Sequence, residues 1–262
     1  MTPETLLKAG DVEGARQVLM AHIRSEPGDA RARIFLFQLL AVLGQWERAG
    51  DQLVVSSELD PANTLLAQAY GTAARAEMDR ASVFAGRSKP TVIGEPEPWV
   101  ALLQHALKLH GEGRHAEAAQ LREQAFEEAP AVGGTIDGLP FQWLADADSR
   151  LGPCLEIIVN RGYAWLPTTR IKSLVFDAPS DLRDKVWAPV QVTLSNGGQM
   201  MGFVPARYPD TERSDDGELL MARKTTWLDV GADNFLGVGQ RMFITDAGDH
   251  PLLDIRRIEF DT

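Results

Sequence analysis

A chain of 262 residues with 44% hydrophobic and 24% charged residues has an ordinary globular composition, long enough to bury a core without cross-links. Its one cysteine, Cys154, excludes an internal disulfide and a cysteine-rich zinc site. With 26 Lys+Arg against 37 Asp+Glu, the net charge of -11 argues against a nucleic-acid or anionic-membrane surface. The start, Met1-Thr2-Pro3-Glu4, is acidic and lacks the cationic and apolar stretches of a signal peptide. The most apolar run, Ile34 to Leu43, falls short of the roughly 20 residues a bilayer span needs, so the expected location is cytoplasmic.

Up to about Pro130 the sequence is rich in Ala, Leu, Glu and Arg, which suits helices. Helices are expected at Pro3–Lys8, Val12–Ser25, Ala30–Leu43, Trp46–Leu59, Ala62–Ala85, Pro98–Leu109 and Ala116–Ala129. Gly28-Asp29 and Asp60-Pro61 supply start signals. A repeat runs through this half. Gly10, Ala15 and Pro27 recur 34 residues on as Gly44, Ala49 and Pro61, and again with the same internal spacing as Gly113, Ala118 and Pro130. Gly at an inter-helix turn, Ala at a close helix crossing and Pro opening the next unit is the grammar of tetratricopeptide repeats, with Trp46 and Leu53 at large packing positions. The period fails between the second and third copies, where Arg87 to Pro98 reads as a linker.

From about Thr135, Val, Ile, Trp, Gly and Pro rise and the apolar runs shorten. Strands are expected at Leu155–Val159, Tyr163–Leu166, Ile171–Phe176, Val190–Leu194, Met200–Pro205, Leu219–Arg223, Arg241–Thr245 and Leu252–Ile255. A short helix is expected at Phe141–Leu151. Asn196-Gly197 signals a hairpin with both residues at positive φ, and Asp246-Ala247-Gly248-Asp249 a looser one. The expected fold class is α+β: a tetratricopeptide-like (TPR-like) helical domain at 1–130, followed by a mostly antiparallel β domain at 135–262.

The residues assemble no catalytic or metal constellation at a suggestive spacing, so no catalytic residue, metal or cofactor is expected. His105, His110 and His115 are five apart, which on a continuous helix sets successive rings about 140° apart. Gly237-Val238-Gly239 lacks the third glycine and the following helix of a dinucleotide fingerprint. Asp146/Asp148 and Asp215/Asp216 have no third ligand nearby, while Asp181, Arg183 and Asp184 read as a capped, paired turn after Pro179. Cys154 reads as a buried small hydrophobe.

Several ordered segments carry a resemblance. They are Asn160-Arg161-Gly162-Tyr163-Ala164-Trp165-Leu166-Pro167 with Arg170-Ile171, then Asp181-Leu182-Arg183-Asp184-Lys185-Val186-Trp187-Ala188-Pro189, Phe203-Val204-Pro205-Ala206-Arg207-Tyr208-Pro209 and Arg223-Lys224-Thr225-Thr226-Trp227. Together they resemble the ImpE family, also called TagJ or SciE-type virulence protein, an accessory component of bacterial type VI secretion. Thr168-Thr169 departs from the family pattern, where a bulky and an acidic residue are common. The resemblance spans nearly the whole chain and implies a non-enzymatic adaptor. It implies as partner the N-terminal helix of the small contractile-sheath subunit, which some members bind, and a link, direct or not, to the ClpV-type ATPase that disassembles the sheath.

The residues themselves offer two surfaces. Segment Ala30–Leu43 is apolar almost all round, more than one-sided packing needs. In repeat register, Ile34, Gln38 and Val42, with Val100, Leu103 and Leu107 of the third copy, would line a concave groove for an amphipathic helix. The alternative is that they pack against the long helix or the β domain. Trp165, Trp187 and Trp227, with Arg170 and Arg183, would form a second surface, or else core and interface packing. Two rival functions stay open: a ligand-binding or catalytic β domain using Arg170, Arg183 and Asp181, and a purely structural scaffold.

Overall fold

The computed structural model describes residues 1–262 apart from Pro96 and Asp233. Five helices open the chain: α1 (Pro3–Lys8), α2 (Val12–Ser25), α3 (Ala30–Val42), α4 (Trp46–Leu59) and α5 (Thr64–Phe84). A two-residue strand β1 (Thr91–Val92) precedes α6 (Pro98–Gly111) and α7 (His115–Glu128). The recurring glycines have one job. Gly10, Gly44 and Gly113 end α1, α3 and α6 at φ of 85°, 66° and 78°. Each closes the same pair of bonds: Gly44 N–H to Ala41 O and Gln45 N–H to Leu40 O, with equivalent pairs at Gly10/Asp11 and Gly113/Arg114. That is a Schellman termination, which needs a residue in the left-handed region and favours Gly. The helix after each turn folds back, and Ala15, Ala49 and Ala118 are fully buried at the crossings. Asp11 and Asp29 cap α2 and α3 through bonds to Gly14 N–H and Ala32 N–H.

The strands are β2 (Gly134–Ile136), β3 (Leu139–Phe141), β4 (Leu144–Asp146), β5 (Cys154–Val159), β6 (Gly162–Pro167), β7 (Ile171–Phe176), β8 (Trp187–Leu194), β9 (Gln199–Pro205), β10 (Thr225–Asp229), β11 (Phe235–Gly239), β12 (Met242–Thr245), β13 (Gly248–Pro251) and β14 (Arg257–Phe260). A nine-stranded sheet runs β1-β6-β5-β9-β8-β7-β14-β2-β3, antiparallel except where β1 lies parallel to β6. A three-stranded sheet β13-β12-β4 and a hairpin β10-β11 complete the strands. Both faces of β5 and β6 are covered, which explains their near-continuous apolar runs. Ile158, Tyr163 and Trp165 join the helical core around Phe37, Leu103 and Trp187, whereas Leu155, Ile157 and Leu166 join a second core with Phe243 and Ile258. Among the described residues no helix is long and apolar enough to cross a membrane.

Three expected elements differ. Leu219–Arg223 is not a strand: α8 (Gly217–Leu220) starts at Asp216, whose carboxylate accepts from Glu218 N–H, and Ala222 sits at φ 51°, a conformation no strand uses. Leu252–Ile255 is a single 3-10 turn after Pro251, and the strand lies just before it as β13. Phe141–Leu151 holds no helix. Burial of Leu144 and Asp146 on either side of Ala145 has the period of a strand, and Leu144–Asp146 pairs with β12. The hairpin at Asn196-Gly197 forms, but with only Gly197 at positive φ. Gly197 N–H reaches Leu194 O and the loop closes at Gly198, so it is a three-residue turn with a bulge rather than a two-residue one.

Candidate functional site

The six residues expected to line an open groove do not line one. Val42, Val100, Leu103 and Leu107 are buried in the core shared by helices and sheet, and Ile34 packs against it. Gln38 is buried too, and its Oε1 accepts from Arg183 N–H at 3.1 Å. The end of α3 is held from the sheet side by Arg207, which donates to Val42 O (2.8 Å), Ala41 O (3.2 Å) and Leu220 O (2.6 Å). Val42 O lies in the last turn, where a helix carbonyl lacks an intrahelical partner, Ala41 O otherwise meets the N–H groups of the closing turn, and a cation there also suits the helix dipole. Helix α3 is apolar all round because neighbouring helices cover one side and the 182–185 segment and sheet the other.

The second surface divides. Trp165 and Trp187 are fully buried. Trp187 stacks on Phe37, with centroids 6.3 Å apart and 10° between planes, and donates to Glu77 Oε1 at 2.9 Å. Arg170 bonds Glu97 Oε1 at 3.0 Å, and Thr169 shares that oxygen. Arg183 pairs with Asp181 and lies over the Tyr70 ring at 5.0 Å. Asp184 closes a capping box by accepting from Asp181 N–H and Ser180 N–H, as the turn reading expects. Trp227 alone of the three tryptophans is substantially exposed, beside Tyr208. The histidine geometry needs a correction: His110 and His115 do meet, Nδ1 to Nδ1 at 3.1 Å. The turn at Gly113 folds α7 back, so angles along a continuous helix do not apply. Burial, with Arg150 nearby, lowers His110 to about 4. Among the described residues no group of three or more His, Cys, Asp or Glu side chains is placed to hold a metal.

A buried ionic seam between α5 and the sheet is invisible in local sequence. Glu156 on β5 accepts from Arg80 Nε (2.7 Å) and Nη2 (3.0 Å), from Tyr163 Oη (2.6 Å) and from Arg241. Arg80 continues to Glu77 Oε2 and to Arg207 O, and Arg241 continues to Asp146 and Pro205 O. Burial alone would raise the Glu156 carboxyl, yet Arg80 and Arg241 outweigh it and hold the group at about 2. At Asp146 burial wins over the attraction of Arg241, with Asp148 adding repulsion, and the carboxyl rises to about 7. Arg207, with carbonyl partners, is drawn down by burial to about 10. The one sequence hint is a lone carboxylate inside the apolar run Cys154–Val159.

An open groove lies elsewhere, between α4 and α5, with a volume of about 480 Å³. Trp46, Gly50 and Val54, each four residues apart, line it from α4, and Ala67, Gly71, Ala74 and Met78 line it from α5. Val54 is 56% and Met78 42% exposed. A Cβ added at Gly50 would meet nothing within 4 Å. Glu47, Asp51 and Arg75 line the same groove and supply its charge. The small-residue spacing was available in the sequence, but the stronger apolar signal of α3 hid it.

Residues 138–259 match the family model described as ImpE protein. The chain is 53% identical over 262 residues to the type VI secretion system accessory component TagJ of Pseudomonas aeruginosa, a match covering 100% of this chain and 92% of that protein. The crystal structure of protein VPA1032 from Vibrio parahaemolyticus has the same fold, with a TM-score of 0.90 over 99% of this chain and 97% of that one, at 24% identity.

Proposed function

Because this chain belongs to the ImpE family, with a TagJ relative matched along its whole length, we propose that it is a non-catalytic adaptor of a type VI secretion system. Its helical hairpins are degenerate tetratricopeptide units. Its partner is the N-terminal helix of the small sheath subunit, by which it assists the ClpV-type ATPase in the cytoplasm. The observation that carries the reading is the groove between α4 and α5. Gly50, Ala67, Gly71 and Ala74 let a third helix backbone come close, while Trp46, Val54 and Met78 offer apolar contact. Glu47 and Asp51 suit Lys or Arg on the polar edge of that helix, raising the association rate more than the affinity.

Titration of the sheath subunit's N-terminal peptide tests this. Gly50→Gln places a side chain in the groove from a position where a Cβ meets nothing within 4 Å, and it replaces Gly with a better helix former. Binding should fall by about tenfold or more while thermal stability holds or rises. Undiminished binding to a folded Gly50→Gln protein would move the site out of the groove. A wild type that ignores the peptide would refute helix capture itself.

A further inference from the structure

A second cavity, of about 410 Å³, lies between the end of α7 and the three-stranded sheet. Phe126 and Pro130 form one wall, Trp143 another, and Ala145 of β4 with Ile244 of β12 the floor. Ala145 and Ile244 are cross-strand partners. Their neighbours Leu144 and Phe243 turn the other way into the core, so the floor is a sheet face on which a one-carbon side chain leaves room. The wall is braced: Gly152 sits at φ 55° under the Phe126 ring, where a Cβ would come within 2.1 Å of Cε1. Phe126 and Trp143 nevertheless each keep 39% of their surface exposed, unusual for two aromatic rings walling one concavity.

Acidic side chains border the cavity. Glu127 and Glu128 are exposed on the same turn as Phe126, and Asp246 accepts from Gln142 N–H at 2.7 Å beside Trp143. The carboxylate in the lining, Asp146, is already engaged by Arg241 and by Asp148 N–H. The interior therefore asks for an uncharged group and the rim for cations. We propose that this pocket is a second protein-binding site, which takes one large apolar side chain from a segment carrying Lys or Arg on both sides of that anchor. A buried aromatic anchor is the usual source of affinity in such contacts, and complementary charge around it speeds association and sets specificity. The site is separate from the α4–α5 groove, and neither depends on the other.

The probe is the peptide acetyl-Lys-Lys-Trp-Lys-Lys-amide, followed by heteronuclear NMR on the full chain. Saturable shifts are expected at the Trp143 indole N–H and the Ala145 amide, weakening with added salt. The peptide with Ala for Trp should be silent, and the one with Glu for Lys about tenfold weaker. Ala145→Leu fills the floor and should abolish the shift at Trp143 with the melting temperature retained, whereas Gly50→Gln should leave binding intact. Unperturbed Trp143 and Ala145 resonances, or undiminished binding to a folded Ala145→Leu protein, would overturn the proposal. Free indole binding as tightly as the peptide would also overturn it, assigning the cavity to a small molecule instead.

Discussion

Replacing Glu156 by Gln keeps the shape of the seam's centre and removes its charge. Glu156 is fully buried and receives Arg80, Arg241 and Tyr163 together, so the substitution leaves two buried guanidinium groups short of their shared partner. Breaking such a pair from one side costs about 3–5 kcal/mol. Linkage gives a similar figure: holding the carboxyl at about 2 rather than its usual 4.5 corresponds to on the order of 3 kcal/mol at neutral pH. With a urea dependence of about 3 kcal/mol per molar, reasonable for a chain this long, the midpoint should fall by roughly 1 M. Because the folded-state pKa is depressed, this stability is fully present above pH 4.5 and is lost as the pH falls toward about 2. The gap between wild type and Glu156→Gln, measured by urea unfolding with far-UV circular dichroism, should therefore close in that window. A midpoint shift below roughly 0.2 M at pH 7, or a gap that stays constant down to pH 2.5, would refute the role given to the seam.

Asp146 has the opposite sign. Its folded-state pKa is raised to about 7, so its contribution to stability is present at low pH and lost as the pH rises through 7. Asp146→Asn should flatten the slope of unfolding free energy between about pH 4 and 7, and an unchanged slope would count against it. Two glycine substitutions should differ in direction. Gly50→Ala should raise the melting temperature, worth up to about 1 kcal/mol, because its Cβ enters open space on a helix. Gly44→Ala should lower it by more than about 1 kcal/mol, since φ is 66° and the Cβ would fall 2.4 Å from Glu212 Cγ. Equal effects at the two positions would show that backbone geometry is not what distinguishes them.

The sequence determined what depends on nearest neighbours along the chain. The starts of α2 and α3 follow from local Asp caps and the ends of α1, α3 and α6 from glycines that must adopt positive φ, and the 34-residue recurrence of Gly and Ala marks hairpins that need only each other to form. Strands β5 to β9 were legible because their faces are buried or alternate, whereas β14 kept a period-2 pattern in Arg257-Ile258-Glu259-Phe260 too short to stand out. The ImpE resemblance rests on motifs that are likewise contiguous. Tertiary structure alone decided which apolar faces remain uncovered. Nothing local says that α3 is roofed by residues 182–185 and tied at its end by Arg207, more than 160 positions away, so an all-round apolar helix looked like a groove and is core. The same holds for the seam, whose partners Arg80, Glu156 and Arg241 are 76 and 85 residues apart. Burial and electrostatic pairing act through space, and the chain encodes them only once the sheet has closed against the helices.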